Sequence, residues 1–525
     1  MTGTSKFSGV SRRNFLVGAA AGVTAAALPS WGRVAHAAGK NHLNVGLIGF
    51  SVVNTLDPQK AALNSDFWAL SAMFNGLMRI LPDGSVEPDL AESVSQENDT
   101  TYVFSLRKGV KFHNGEELTA EDVKFTLDRV LSEETASPNR AKFEAIEQVE
   151  ARDKYTVVLR LSVPSVPVIT HLHNGVTGSQ IISKKAFEDM GAEAFSKAPV
   201  GTGPFKIKEW RPSERLKMVA HTDYFRAGEP KVASCDILLI AEETSGGTAM
   251  LAGDIDLAST IPFADAPQLE ADPNITISRM SGANWRYCAL NLSKAPFDDV
   301  NFRRAVSMAF NRESVVKAAI FGEGSPMQGA IPSYLKTAYA TYERPVCQFN
   351  PERARAEMAK GKYGEGTEAV VLTWGSGWWK RWSEIFAANI NQVLGTKFTV
   401  EVTDANVAFQ RYKAMEMDCS NTGWIGRMEL DEYIGDCFRT GASRNFYKYS
   451  NAKVDELIDA GRAEFNPVKR GELYRMAEDL IVEECPVIFS FNNNAHNMWR
   501  TGVEGFVPTP GQHLGSQLGP VSVPS

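Results

Sequence analysis

Period-two and period-3.6 apolar patterns alternate from Leu43 to the C-terminus, with no repeat and no low-complexity linker between them. That interleaving is what most narrows the fold. Leu43-Asn44-Val45-Gly46-Leu47-Ile48 reads as a mostly buried opening strand, and Asp66 to Leu77 as a helix with one apolar stripe. Tyr102 to Leu106 is a strand, and Val110-Lys111-Phe112-His113 alternates into the hairpin-type turn Asn114-Gly115. Thr119-Ala120-Glu121-Asp122 has the capping-box form and starts a helix whose Val123, Leu127, Val130 and Leu131 share one face. Tyr155 to Leu161 is a strand ended by Pro164 and Pro167; further strands are expected at Leu216 to Ala220, Ile237 to Ala241 and Tyr287 to Leu292. Helices follow at Phe302 to Phe310 and Arg353 to Ala359. The 525 residues would make two to four domains at about 150 residues each. The elements are too interleaved for beads on a string, so the class is mixed α/β.

The N-terminus is built differently. Ser11-Arg12-Arg13-Asn14-Phe15-Leu16 precedes an uncharged run from Val17 to Leu28, a break at Pro29, and Ala35-His36-Ala37. Charged start, short apolar run and small-x-small site are the three parts of an export signal, and the arginine pair before Phe-Leu looks like the twin-arginine type. Twelve apolar residues span about 18 Å as a helix, against about 30 Å of bilayer core, which argues against an anchor. Cleavage is expected after Ala37, leaving a periplasmic protein. It removes Lys6, Arg12, Arg13 and Arg33 and no acid, moving the net charge from −7 to −11.

No run of basic residues stands out, so a nucleic-acid partner is not expected. Cys419 and Cys437 flank a Gly-Trp loop and could close a local disulfide in an oxidising compartment; Cys235 and Cys288 could pair across strands. The alternative for each is a buried free thiol.

Several blocks then occur in one order. They are Thr55-Leu56-Asp57-Pro58; Leu106 to Gly115 with Leu118 to Val123; Gly201-Thr202-Gly203-Pro204-Phe205 with Trp210 and Asp223-Tyr224-Phe225; Asn291 with Pro296-Phe297-Asp298, Arg303 to Phe310 and Gly322; Asn350 to Ala354; Gly423-Trp424; and Tyr449-Ser450-Asn451. Together they resemble the dipeptide/oligopeptide-binding class of ABC-transporter solute-binding proteins (bacterial extracellular solute-binding family 5), from about residue 43 to 495. The resemblance implies a two-lobed periplasmic-binding-protein fold, type II, of the large class with an extra subdomain, and a ligand cleft between lobes. It places the signal at 1–37, lobe I at 38–84, 199–288 and 489–525, the extra subdomain at 85–198, and lobe II at 289–488. It also implies a small-molecule or peptide ligand, permease subunits in the inner membrane as partners, a monomer, and no cofactor. Within the blocks, Gly115, Gly201 and Gly203 suit turns needing positive φ, while Phe112, Val123 and Phe205 suit the core.

Catalysis is not expected, because GxSxG, HExxH, Walker A and GxGxxG patterns are all missing. His171 and His173 would share one face of a strand, but without a third ligand they make a poor metal site, and none is expected. Asp298-Asp299 correspond, in the family that the blocks resemble, to helix-entry residues. An exported hydrolase with unpaired carboxylates stays as the alternative of another class.

Two features bear on the ligand. Trp374, Trp378, Trp379 and Trp382 crowd nine residues. Trp382 with Phe386 reads as core, and Trp378 or Trp379 as cleft-lining surface. In peptide-binding members an aspartate shortly after Gly-Trp grips the ligand's ammonium. Here Trp424 is followed by Ile425-Gly426-Arg427-Met428-Glu429-Leu430-Asp431, with Arg427 at that position and Glu429 or Asp431 as substitutes. A guanidinium there favours an acidic or modified ligand, such as an opine, a muropeptide or an oligosaccharide, over a free peptide. Trp424 itself, Trp285 and Arg286 near the passage between lobes, and Asn54 before the Thr-Leu-Asp-Pro turn complete the expected ligand set.

Overall fold

The computed structural model describes residues 41–524 apart from 83–84, 176, 376, 426–428 and 512–516. Two sheets organise it. The first has seven strands, in the order Ile275–Met280, Ala495–Arg500, Leu257–Ala258, His42–Ile48, Ser234–Ile240, Arg215–Ala220, Phe205–Arg211. The second has six, in the order Gly324–Pro326, Val487–Asn493, Asn284–Leu290, Cys419–Ile425, Glu368–Thr373, Lys397–Val402. The opening strand is nearly all apolar because it lies inside the first sheet, parallel to Ser234–Ile240, with Leu43, Val45 and Leu47 all buried. A four-stranded antiparallel sheet from Ala91 to Leu161, covered by helix Ala120–Leu131, forms its own core. The chain leaves the first sheet after Met280, joins the second at Asn284, and returns between Asn493 and Ala495.

The family-like blocks hold the first lobe together. Thr119 and Asp122 form the expected capping box. From that helix Arg129 reaches Asp57 through two nitrogens at 2.8 and 2.5 Å, and Gln59 at 2.6 Å. Helix Asn64–Leu70 ends earlier than expected. The carbonyls of Ala72 and Met73 are instead taken by the backbone of Phe205 and Gly203. This corrects the role of two glycines. Gly115 does have positive φ, at 89°, but Gly201 and Gly203 do not. A Cβ on Gly201 would lie 2.2 Å from the Met73 oxygen, and one on Gly203 2.4 Å from the Met73 carbonyl carbon. Close approach is what those two positions demand.

Neither expected disulfide forms: all six cysteines are free and buried. Cys235 and Cys288 belong to different sheets. Cys419 lies beside Cys288 on one face of the second sheet, its thiol donating to the Val370 carbonyl at 3.6 Å. Cys437 packs near Tyr287, which alternation puts on the opposite face, so the strand itself separates Cys437 from Cys419. Burial raises both thiols well above their ordinary range. No described helix is long and apolar enough to cross a membrane.

Candidate functional site

The strand Asn284–Leu290 lies in the middle of the second sheet, between Val487–Asn493 and Cys419–Ile425. Alternation sends Trp285 and Tyr287 to one face and Arg286 to the other, and this separates the expected ligand residues. Trp285 is 0% exposed, stacked on Tyr287 at 4.0 Å and packed near Phe438 and Phe489. It is core, not ligand surface, which corrects the expectation. Trp424 stands opposite Trp285 in register, half-buried, with the Arg444 guanidinium 3.4 Å from its ring centre.

On the other face Arg286 meets Trp378 and Trp379, its guanidinium carbon 5.4 and 5.2 Å from the two ring centres. The rings stack on each other at 4.2 Å and are half-buried at the start of helix Gly377–Leu394, while Trp382 is buried below them as expected. Gly423 is paired with Arg286, and its missing side chain matters: a Cβ there would lie 2.2 Å from Arg286 Nη1. Arg286 Nε donates to Asn493 Oδ1 at 3.0 Å. No carboxylate among the described residues pairs with this guanidinium. Burial lowers its pKa to about 10, so it stays charged at neutral pH. A charged fork with unpaired Nη groups, desolvated between aromatic faces, is suited to an incoming carboxylate or phosphate.

The two acids expected as substitutes for the ammonium-gripping aspartate are already engaged. Glu429 is buried with Arg470 and accepts from Thr170 Oγ1 at 2.8 Å. Asp431 accepts from Arg462 twice at 2.9 Å and from Tyr474 at 2.8 Å. Arg427 lies outside the described residues. Asn54 is exposed in the first lobe, its backbone N–H on Asp66 at 2.7 Å, with no contact to the Arg286 group. His171 and His173 do not share a strand. His171 follows helix Val166–Thr170 and faces Glu432 at 4.0 Å, while His173 Nδ1 accepts from Gly175 N. Asp299 caps helix Val300–Ala309, as a helix-start residue should.

Sequence reasoning missed three residues. Asn493 carries no motif, and neither does Arg444. Asp436, half-buried, is pushed up to about 6 by burial, with Asp431 and Glu432 adding to the effect. A cavity of about 540 Å³ lies elsewhere, lined by Arg79, Glu87, Asp89 and Arg226 among others. Both guanidiniums named are already paired, as Arg79–Glu87 and Arg226–Asp89, whereas Arg286 has no acid partner among the described residues.

The model for bacterial extracellular solute-binding proteins, family 5 Middle, matches residues 85–445. Among curated proteins the chain is 28% identical over 450 residues to the glutathione-binding protein GsiB of Shigella flexneri serotype 5b, covering 83% of this chain and 86% of that one. Among solved structures it resembles AgaA of A.tumefacien R10, in complex with agropinic acid, with TM-score 0.81, 24% identity and coverage of 92% and 99%. It also resembles DppA of Helicobacter pylori, in complex with peptide STSA, with TM-score 0.82, 21% identity and coverage of 92% and 98%. The two sheets and the crossing between them are the two-lobed fold of those periplasmic binding proteins. By sequence, by fold and by the family match over most of its length, this chain belongs to the bacterial extracellular solute-binding proteins, family 5.

Proposed function

We propose that this chain captures a peptide-like ligand bearing a free carboxylate and delivers it to an ABC permease of the inner membrane. Arg286 binds the carboxylate, and the Trp378–Trp379 pair covers the adjoining apolar part of the ligand. One observation carries this reading: a desolvated, charged guanidinium held by two tryptophans and an asparagine, without an acid among the described residues. Leaving such a charge unpaired is costly unless a ligand completes it. Glutathione, agropinic acid and a short peptide, the ligands named with three similar proteins, fall within this class.

The remaining assignments follow the same reading. The lobe limits fall at 281–283 and 494, where the chain passes between sheets, rather than at 288 and 488, which cut strands Asn284–Leu290 and Val487–Asn493. The twin-arginine-type leader is removed near Ala37, and the mature protein acts in the periplasm as a non-catalytic monomer without nucleic acid. Arg427, close behind Trp424 in sequence, supplies a second cation to the same ligand, and Asn54 a polar contact from the first lobe.

Thermal-shift titration with glutathione, agropinic acid and Ser-Thr-Ser-Ala, each beside its carboxamide, tests this. A free acid at 100 times its Kd should stabilise the fold by about 2.7 kcal/mol, and its amide much less. Equal shifts for acid and amide would remove Arg286 from the reading. Turnover of a ligand instead of stoichiometric retention would sink the receptor function itself.

A further inference from the structure

Glu429 and Glu432 lie at helix Leu430–Tyr433, which the second lobe holds from several sides. Glu429 pairs with Arg470, Asp431 with Arg462 and Tyr474, and the Tyr433 hydroxyl shares a hydrogen bond with that of Tyr334 at 2.6 Å. Both glutamates also meet the first lobe. Thr170 Oγ1 donates to Glu429 Oε2 at 2.8 Å. Lys142 Nζ lies 3.7 Å from Glu432 Oε1, and His171 Nδ1 4.0 Å from the same oxygen. The Lys142 and Glu432 side chains are only 7% and 1% exposed. On the first-lobe side, Asn139 Nδ2 donates to the Ala61 carbonyl at 3.0 Å just before Lys142, and His173 bridges to Met78 just after His171. Each half of this contact is therefore built into its own lobe. The chain joins the two halves only through the crossings at 281–283 and 494.

We propose that Lys142 and Thr170, with Glu432 and Glu429 opposite them, form an interlobe latch that sets the closing equilibrium for any ligand. Pairs within one lobe, such as Arg470–Glu429, travel together when the lobes swing about the crossings. Lys142–Glu432 and Thr170–Glu429 join opposite bodies, so the same swing parts them. Burial keeps the His171 imidazole neutral at pH 7, so the charge offered to Glu432 from the first lobe is that of Lys142. With the lobes apart, the two charges are solvated separately; with the lobes together, each is buried against the other. Removing or reversing one partner leaves the other buried with less compensation, which penalises the closed form and spares the open one. A ligand held between the lobes draws on that same equilibrium, so the latch enters every apparent affinity as a common factor. Arg286 would choose among ligands by their chemistry; the latch does not choose.

Small-angle scattering without added ligand compares wild type with Lys142→Glu, Thr170→Val and Arg439→Gln, the last breaking the Arg439–Asp459 pair inside the second lobe. Lys142→Glu sets a carboxylate against Glu432 and should raise the radius of gyration most. Thr170→Val removes one hydrogen bond and should raise it less, while Arg439→Gln should leave it unchanged. Circular dichroism like that of wild type distinguishes an opened fold from an unfolded one, and if Lys142→Glu fails to fold, Thr170→Val decides. Wild-type scattering from the deciding variant, or an equal rise in Arg439→Gln, would overturn the latch. Affinity is then measured for whichever of glutathione, agropinic acid and Ser-Thr-Ser-Ala binds wild type. Lys142→Glu should weaken each of them about tenfold, free acid and carboxamide alike. A loss confined to the free acids would make Lys142 part of the ligand site and overturn the common factor. Failure of all three compounds to bind wild type would strike the carboxylate reading and leave the latch to the scattering result.

Discussion

Two arginines divide this molecule by purpose. Arg129, in the first lobe, is buried against Asp57, Gln59 and the Phe187 ring, with its charge balanced inside the fold. Arg286, in the second lobe, has two tryptophan rings and an asparagine, and no acid among the described residues. The first joins the Thr-Leu-Asp-Pro turn to the capping-box helix. The second sits beside the crossing between lobes, open on its Nη edge. A closed charge network builds structure; under the proposed function, the open one receives a charge from outside.

The comparison breaks most easily at the first arginine. Asp57→Ala should leave Arg129 buried without a counter-charge and cost about 3–5 kcal/mol in denaturant unfolding. A loss below about 1 kcal/mol would show that the network is not what fixes this corner. Arg286→Met keeps an unbranched stem without the charge, and stability should then change by less than about 1 kcal/mol. Affinity for a free-carboxylate ligand, measured by calorimetry, should fall by about 2–5 kcal/mol. If Arg286→Met unfolded the protein as Asp57→Ala does, the distinction between the two would disappear.

The same contrast explains what the sequence made legible. The blocks around Asp57, Thr119 and Gly203 have fixed spacings because local bonds and close approaches require them, so the fold could be read from them. Trp378, Trp379 and Arg286, singled out by an aromatic cluster and a position near a lobe passage, do come together on one face of the second sheet. Trp285 was misplaced because alternation along one strand separates neighbours by a full sheet thickness, and the phase depends on which face is core. Cys419 and Cys437 misled for the same reason: short sequence separation says nothing about opposite faces. Asn493 has no sequence signal, since its role arises from pairing between residues 207 positions apart.

Acid sharpens the comparison on the first-lobe side. His113 Nδ1 accepts from Gly201 N, so Nε2 carries the proton that donates to the Gly203 carbonyl at 3.1 Å. Burial pushes its pKa from 6.5 down to about 3, and burial also lowers His171, His221 and His496. The folded state then binds fewer protons than the unfolded one between these values. Stability is fully present above pH 6.5 and is lost as pH falls toward 3. His113 alone should account for on the order of 2 kcal/mol between pH 7 and pH 5. His113→Gln should flatten that part of the stability profile, and an unchanged slope would assign it to the other histidines.

The smallest effects come from two glycines, and they set the lobes side by side once more. Gly203→Ala puts a methyl 2.4 Å from the Met73 carbonyl carbon, a backbone atom that cannot yield without moving the turn. It should cost about 1–3 kcal/mol of stability by overpacking. In Gly423→Ala the nearest atoms are Arg286 Nη1 at 2.2 Å and Cδ at 2.7 Å, the far end of a flexible side chain. Gly423 has no positive φ, so alanine fits its backbone and restricts the unfolded chain, and stability should hold or rise slightly. The guanidinium, however, must leave its place over Trp378 and Trp379. Affinity for a free carboxylate should then drop about tenfold, or about 1.4 kcal/mol, while binding of the corresponding carboxamide stays as it was. A stability loss in Gly423→Ala with intact affinity would mean that the fork does not need the tryptophan pair, and that the second arginine is as structural as the first.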